Sequence, residues 1–158
     1  MSLERLWAGW RAEYVSSAGQ DDACVLCRVL DEGSNVVWRG DRCAAVLNAF
    51  PYTSGHLMVM PTRHVSELED VEGDEAVGLW KAVADAVRAL KDAYRPDGLN
   101  VGINLGRAAG AGVLGHFHVH VLPRWSGDTN FMTSVAETRV LPESLEATYE
   151  KVKGAWPA

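Results

Sequence analysis

The chain has 158 residues, 47% of them hydrophobic and 23% charged, an ordinary composition for a soluble domain with room for a sizeable core. Its net charge of −6 argues against a broad basic face that would grip duplex nucleic acid by its backbone, but leaves room for a small phosphorylated ligand. No apolar run approaches the roughly 20 residues that span a bilayer, and Met1 to Trp10 lack the pattern of a signal peptide. There are three cysteines, two of them in Cys24-Val-Leu-Cys27, and no disulfide framework, so a reducing, cytoplasmic setting is expected.

Leu3, Leu6, Trp7, Trp10 and Tyr14 recur at helical spacing. They predict a short amphipathic helix whose aromatic face must pack on this domain or on a second copy. Ser16 to Asp22 is polar and loop-like, and a short helical or irregular stretch runs from Cys24 to Gly33. Val36–Arg39 and Cys43–Asn48 read as strands joined by a turn. Phe50–Gly55 is a loop, His56–Met60 a third strand stopped by Pro61, and Ser66–Gly73 an acidic turn. A helix is predicted from Asp74 to about Tyr94, with Val77, Trp80, Val83, Val87, Leu90 and Tyr94 as its core stripe. Pro96-Asp-Gly98 breaks it. Leu99–Leu105 is a fourth strand, Gly106–Gly115 a loop of small residues, and the histidine row at 116–120 the fifth strand. After the turn at Ser126-Gly-Asp128, a last helix covers Glu143 to Lys153. Strands adjacent in sequence with one long helix inserted predict an α+β fold with a mainly antiparallel five-stranded sheet. One domain is expected over 1–158, with its core at about 36–125, Cys-x-x-Cys and a helix before it, and an extension over 126–158.

The fifth strand carries the chemistry. His116, His118 and His120 alternate with Phe117, Val119 and Val121. Side chains alternate across a strand, so three imidazoles share one face and the apolar residues enter a core. Histidine changes charge near neutral pH and binds metals as the neutral ring, so such a row points to a reactive site.

His-x-His-x-His followed by Val121-Leu122 resembles the signature of the histidine-triad family of nucleotide hydrolases and transferases. The resemblance extends over Leu47-Asn48, Tyr52–Pro61 and Asn104–Gly115, most of residues 36 to 125. Arg5-Leu-Trp7, Val65–Asp70, Asn100–Gly106 and Pro123-Arg-Trp125 look most like the diadenosine tetraphosphate phosphorylase-like branch. It implies that His118 is the nucleophile that carries a nucleotidyl group, that His120 contacts the phosphate or bridging oxygen, and that His116 orients His118 through its backbone carbonyl. It also implies a structural zinc on Cys24, Cys27, His64 and His116; without it, two buried cysteines and a surface His64 would account for the same residues. Cys43 is left for the core.

Further positions carry over in the same way. Asn48 matches the ribose-binding position, and Val46, two residues earlier on the same face, is placed to contact the base. Asn104 matches a phosphate-binding amide. At Gly112 relatives carry an amide or hydroxyl, so here only main chain can serve. Trp125 either covers the site or packs at its edge, Arg124 holds the strand end by an ion pair, and His56 stands behind the site. The implied substrate is a dinucleoside polyphosphate, with inorganic phosphate or water as acceptor, in a homodimer. A nucleoside phosphoramidate hydrolase and a nucleotide-binding regulator with little turnover are the other readings.

Overall fold

The structure is a computed structural model that describes residues 24–129 and 141–158. The predicted amphipathic helix over Leu3–Tyr14 and the loop over Ser16–Asp22 lie outside the described residues. The described elements run α1 (Val25–Glu32), β1 (Val36–Arg39), β2 (Cys43–Leu47), β3 (Leu57–Pro61), α2 (Gly73–Tyr94), β4 (Gly98–Gly102), β5 (Val119–Arg124) and α3 (Leu145–Gly154). The strands form one antiparallel sheet in the order β1-β2-β3-β5-β4. No described helix is long and apolar enough to cross a membrane.

Every residue of β2 and β3 is buried, because both faces of the sheet are covered. On one face α2 and α3 close a core around Leu47, Leu57, Val59, Phe117, Val119 and Val121. On the other, α1 lays Leu26 and Leu30 over Ala44, Val46, Met58 and Met60. The stretch from Cys24 to Gly33 is thus a regular helix, ended by Gly33 at φ 72°, whose N–H donates to the Val29 carbonyl. α3 starts at Ser144, whose hydroxyl accepts from the Ala147 N–H. It belongs to the core: Val152 is buried, the Tyr149 hydroxyl donates to the Val36 carbonyl, and Trp156 stacks on Trp38 at 5.5 Å.

The expected stripe of α2 holds from Val83 onward and fails before it. Val77 and Trp80 are 71% and 53% exposed, and the buried face runs through Leu79, Ala82, Val83, Ala86, Ala89 and Leu90. Alanines let the helix axis lie close to the sheet, which turns the bulkier Val77 and Trp80 outward. The fourth strand ends at Gly102 and not at Leu105, and the fifth begins at Val119. His116 and His118 therefore precede the strand, and only His120 lies within it.

Candidate active site and metal cluster

The approach to β5 is held by the Phe117 N–H, which donates to the Val65 carbonyl at 2.7 Å, and by burial of Phe117 in the α2-side core. His118 and His120 then turn toward the α1 side, His120 opposite Met58 of β3. The rings have different partners. His116 Nε2 lies 2.9 Å from the Pro61 carbonyl oxygen. A carbonyl only accepts, so Nε2 bears the proton and Nδ1 presents a lone pair. That Nδ1 is 3.5 Å from both Cys24 Sγ and Cys27 Sγ, and His64 Nδ1 is 3.3 Å from Cys27 Sγ.

The four donor atoms of Cys24, Cys27, His64 and His116 lie within 4.8 Å of one another and could hold a metal ion. Bonds of about 2.3 Å to sulfur and about 2.0–2.1 Å to nitrogen at a tetrahedral angle put sulfur and nitrogen about 3.6 Å apart. The three sulfur–nitrogen separations of 3.3–3.5 Å are close to that edge length. Two sulfurs converging on one nitrogen lone pair fit a shared ion better than two competing thiol hydrogen bonds. Burial, followed by the neighbouring Cys24, pushes the Cys27 thiol up to about 11.

His118 Nδ1 lies 2.7 Å from the His116 carbonyl oxygen and so donates to it, leaving Nε2 with the lone pair. Desolvation lowers the basicity of this buried ring and keeps it neutral. Behind His120 stands His56, fully buried. Its Nδ1 accepts from the Tyr52 N–H at 3.2 Å, so its proton is on Nε2, which lies 2.9 Å from His120 Nδ1. His120 Nδ1 accepts a hydrogen bond from that Nε2–H, so His120 carries its own proton on Nε2. The pair thus combines an unprotonated Nε2 on His118 with a protonated Nε2 on His120, their rings 4.8 Å apart.

Both line one cleft, walled largely by apolar side chains. Val46, Asn48 and Gly112 line it too. Asn104 and Trp125 do not, and Trp125 packs edge-on against Tyr94 at 6.0 Å. Arg124 is engaged by Asp128 and Asn100, with Nε 2.6 Å from Asp128 Oδ2. In the glycine loop, the Gly110 N–H donates to the Arg107 carbonyl and the Ala111 N–H to that of Gly106. Gly112 and Val113, next along the loop, line the cleft. Sequence reasoning missed the wall formed by Val25, Leu26 and Val29 of α1, and also Asn35 at the cleft's edge. The i, i+1, i+4 spacing of the three apolar residues was the available signal.

Sheet, cleft and staggered imidazoles together define a nucleotide-processing protein of the histidine-triad kind. The chain belongs to the HIT domain family, whose model matches residues 30–127. It is 40% identical to an AP-4-A phosphorylase of Mycobacterium tuberculosis over 98% of this chain and 85% of that one, which sets it in that branch. A hypothetical histidine triad nucleotide-binding protein of Sulfolobus tokodaii shares the fold with a TM-score of 0.70 at 29% identity, covering 84% of this chain and 91% of its own. A zinc-bound histidine triad family protein of Mycobacterium smegmatis has a TM-score of 0.68 at 28% identity, covering 84% and 92%.

Proposed function

We propose that the protein cleaves dinucleoside polyphosphates of the diadenosine tetraphosphate type by two displacements through a nucleotidyl-His118 intermediate. The carrying observation is the bond from His118 Nδ1–H to the His116 carbonyl, which leaves the Nε2 lone pair on a residue that lines the cleft. In the first step Nε2 attacks the α-phosphorus, a P–N bond forms, and the P–O bond to the rest of the polyphosphate breaks. The His120 Nε2–H donates to the phosphate or the bridging oxygen as charge builds there. In the second step the acceptor attacks, the P–N bond breaks, and His118 regains its lone pair. Two displacements replace one difficult transfer because imidazole is both nucleophile and leaving group near neutral pH.

Inorganic phosphate is the proposed acceptor, supported by the identity to the relative named AP-4-A phosphorylase. Val46 and the α1 wall take the base, Asn48 the ribose, and the Gly112 main chain the phosphate. Asn104 and Trp125, outside the cleft's lining, keep their phosphate and covering roles for the distal part of a long substrate. Zinc is proposed on Cys24, Cys27, His64 and His116, where four protein donors leave no open position and its contribution is structural. The exposed Val77 and Trp80 on the outer face of α2 support a homodimer. Three free cysteines support a reducing compartment.

The test supplies diadenosine tetraphosphate with excess phosphate. ADP is the expected product beside ATP. AMP without ADP would reject phosphate as acceptor, and turnover by His118→Gly at the native rate would reject the covalent route.

A further inference from the structure

The described polar side chains that line the cleft are few. His118 and His120 serve the phosphorus, Tyr52 packs on His56 and His120 at 4.5 and 6.1 Å, and Asn48 stands at the end of β2. Asn35 remains. It sits just before β1, beside Val46, whose strand partner is Val36. Its carbonyl accepts from the Leu47 N–H at 2.9 Å, which ties its backbone to the strand that carries Val46 and Asn48. Its side-chain amide makes no hydrogen bond to a described residue.

We infer that Asn35 reads the edge of the bound base and selects adenine. This rests on the reading of the cleft as a nucleotide site. A carboxamide presents one acceptor and one donor side by side. Adenine offers its N6–H donor next to N1 on one edge and next to N7 on the other, so it matches Asn35 in either presentation. Guanine shows two acceptors, O6 and N7, on its major-groove edge and matches only through O6 and N1–H. The rest of the base slot is apolar, formed by Leu26, Val29, Val46 and Met58, and supplies contact area without discrimination.

A backbone explanation also exists for this residue. Asn35 has φ +58°, a left-handed conformation that asparagine adopts more readily than most side chains. Glycine would satisfy that requirement equally well. Substitution by glycine therefore separates the two roles.

The experiment titrates AMP and GMP by calorimetry into the intact chain and into Asn35→Gly and Asn35→Asp. The unchanged protein is expected to bind AMP roughly tenfold more tightly than GMP, the scale of one bidentate contact to a base edge. Asn35→Gly is expected to bring that ratio near unity at an unchanged or raised unfolding temperature. Asn35→Asp puts acceptors opposite guanine N1–H and N2–H and is expected to reverse the preference; being nearly isosteric, it carries the test alone if the glycine variant fails to fold. An unaltered AMP-to-GMP ratio in the folded variants overturns the assignment of Asn35 and leaves the nucleotide reading standing. Binding of neither nucleotide by the unchanged protein overturns both.

Discussion

His56 can be replaced by phenylalanine at little cost in packing, since both are planar rings and the site is fully buried. Two hydrogen bonds disappear: the Tyr52 N–H loses its acceptor at 3.2 Å, and His120 Nδ1 loses its donor at 2.9 Å. Each is worth about 0.5–1.5 kcal/mol net, rising to about 1–3 kcal/mol where a partner is left buried and unsatisfied. The sum is about 2–4 kcal/mol, or a fall in unfolding temperature of about 4–16 °C for a chain of this size. The effect on turnover has a separate cause. Without the His56 Nε2–H, His120 Nδ1 loses the donor that keeps the His120 proton on Nε2, and turnover is expected to fall roughly tenfold to a hundredfold, the usual scale for losing a group that orients a reactive imidazole. His56→Gln keeps a side-chain N–H donor and should recover part of the rate. Thermal unfolding and steady-state cleavage of diadenosine tetraphosphate, measured on both variants, decide the matter. A folded His56→Phe protein with turnover within twofold of the original refutes the proposed protonation pattern, as does a glutamine variant no better than phenylalanine.

Protein purified without added zinc is expected to carry close to one metal ion per chain, and chelation should lower its unfolding temperature. An ion present at a thousandfold over its Kd stabilises by about 4 kcal/mol, or about 8–16 °C here; metal-free protein of full stability would remove the cluster's proposed role. Gly55→Ala should destabilise by about 2–4 kcal/mol, from left-handed strain and overpacking together. Gly55 has φ +81°, and a Cβ there would sit 2.9 Å from Tyr94 Cε2 and 3.0 Å from Leu90 Cδ2; a denaturation midpoint equal to the parent's would contradict this. Asp128 is held far below its ordinary 3.8, first by the Arg124 guanidinium and then by the Trp125 N–H and the Thr129 hydroxyl. Its contribution is therefore whole above about pH 4 and fades as the pH falls below it. The gap in unfolding temperature between the parent and Asp128→Asn should be constant from pH 5 to 7 and narrow toward pH 3, and a gap that widens on acidification would reverse the sign.

The alternation at 116–121 was enough to predict which side chains enter the core, because a period of two survives whether or not a strand is formally paired. It did not show that His116 and His118 lie ahead of the ladder, which stops at the Val59–Val119 pair although β3 runs on to Pro61, the Phe117 N–H being taken by the Val65 carbonyl. α2 was legible as a helix, but its first two turns misled: Val77 and Trp80 look like core, and the alanines that displace them look neutral. Hydrophobicity ranks the larger side chain higher, whereas close approach to a sheet rewards the smaller one. The four metal donors could be named only from the resemblance, because they come from three separate stretches: Cys24 and Cys27 at the start of α1, His64 after β3 and His116 ahead of β5. Their convergence depends on α1 crossing the sheet face, a tertiary arrangement that the local pattern does not contain. Asn35 was missed for the same reason, standing in a turn whose side chain acquires meaning only when α1 forms the opposite wall.

The pairing of β5 with β3, Val119 with Val59 and Val121 with Leu57, has a consequence for quality control of the folded chain. A slip of one residue would send Val119 and Val121 to the cleft face and thrust His118 and His120 into the α2-side core. The metal donor His116 would be displaced by the same slip, because it lies on the same short stretch. No misregistered form can keep one site and lose the other. Catalytic competence and metal retention therefore report together on a single structural variable, the alignment of two central strands.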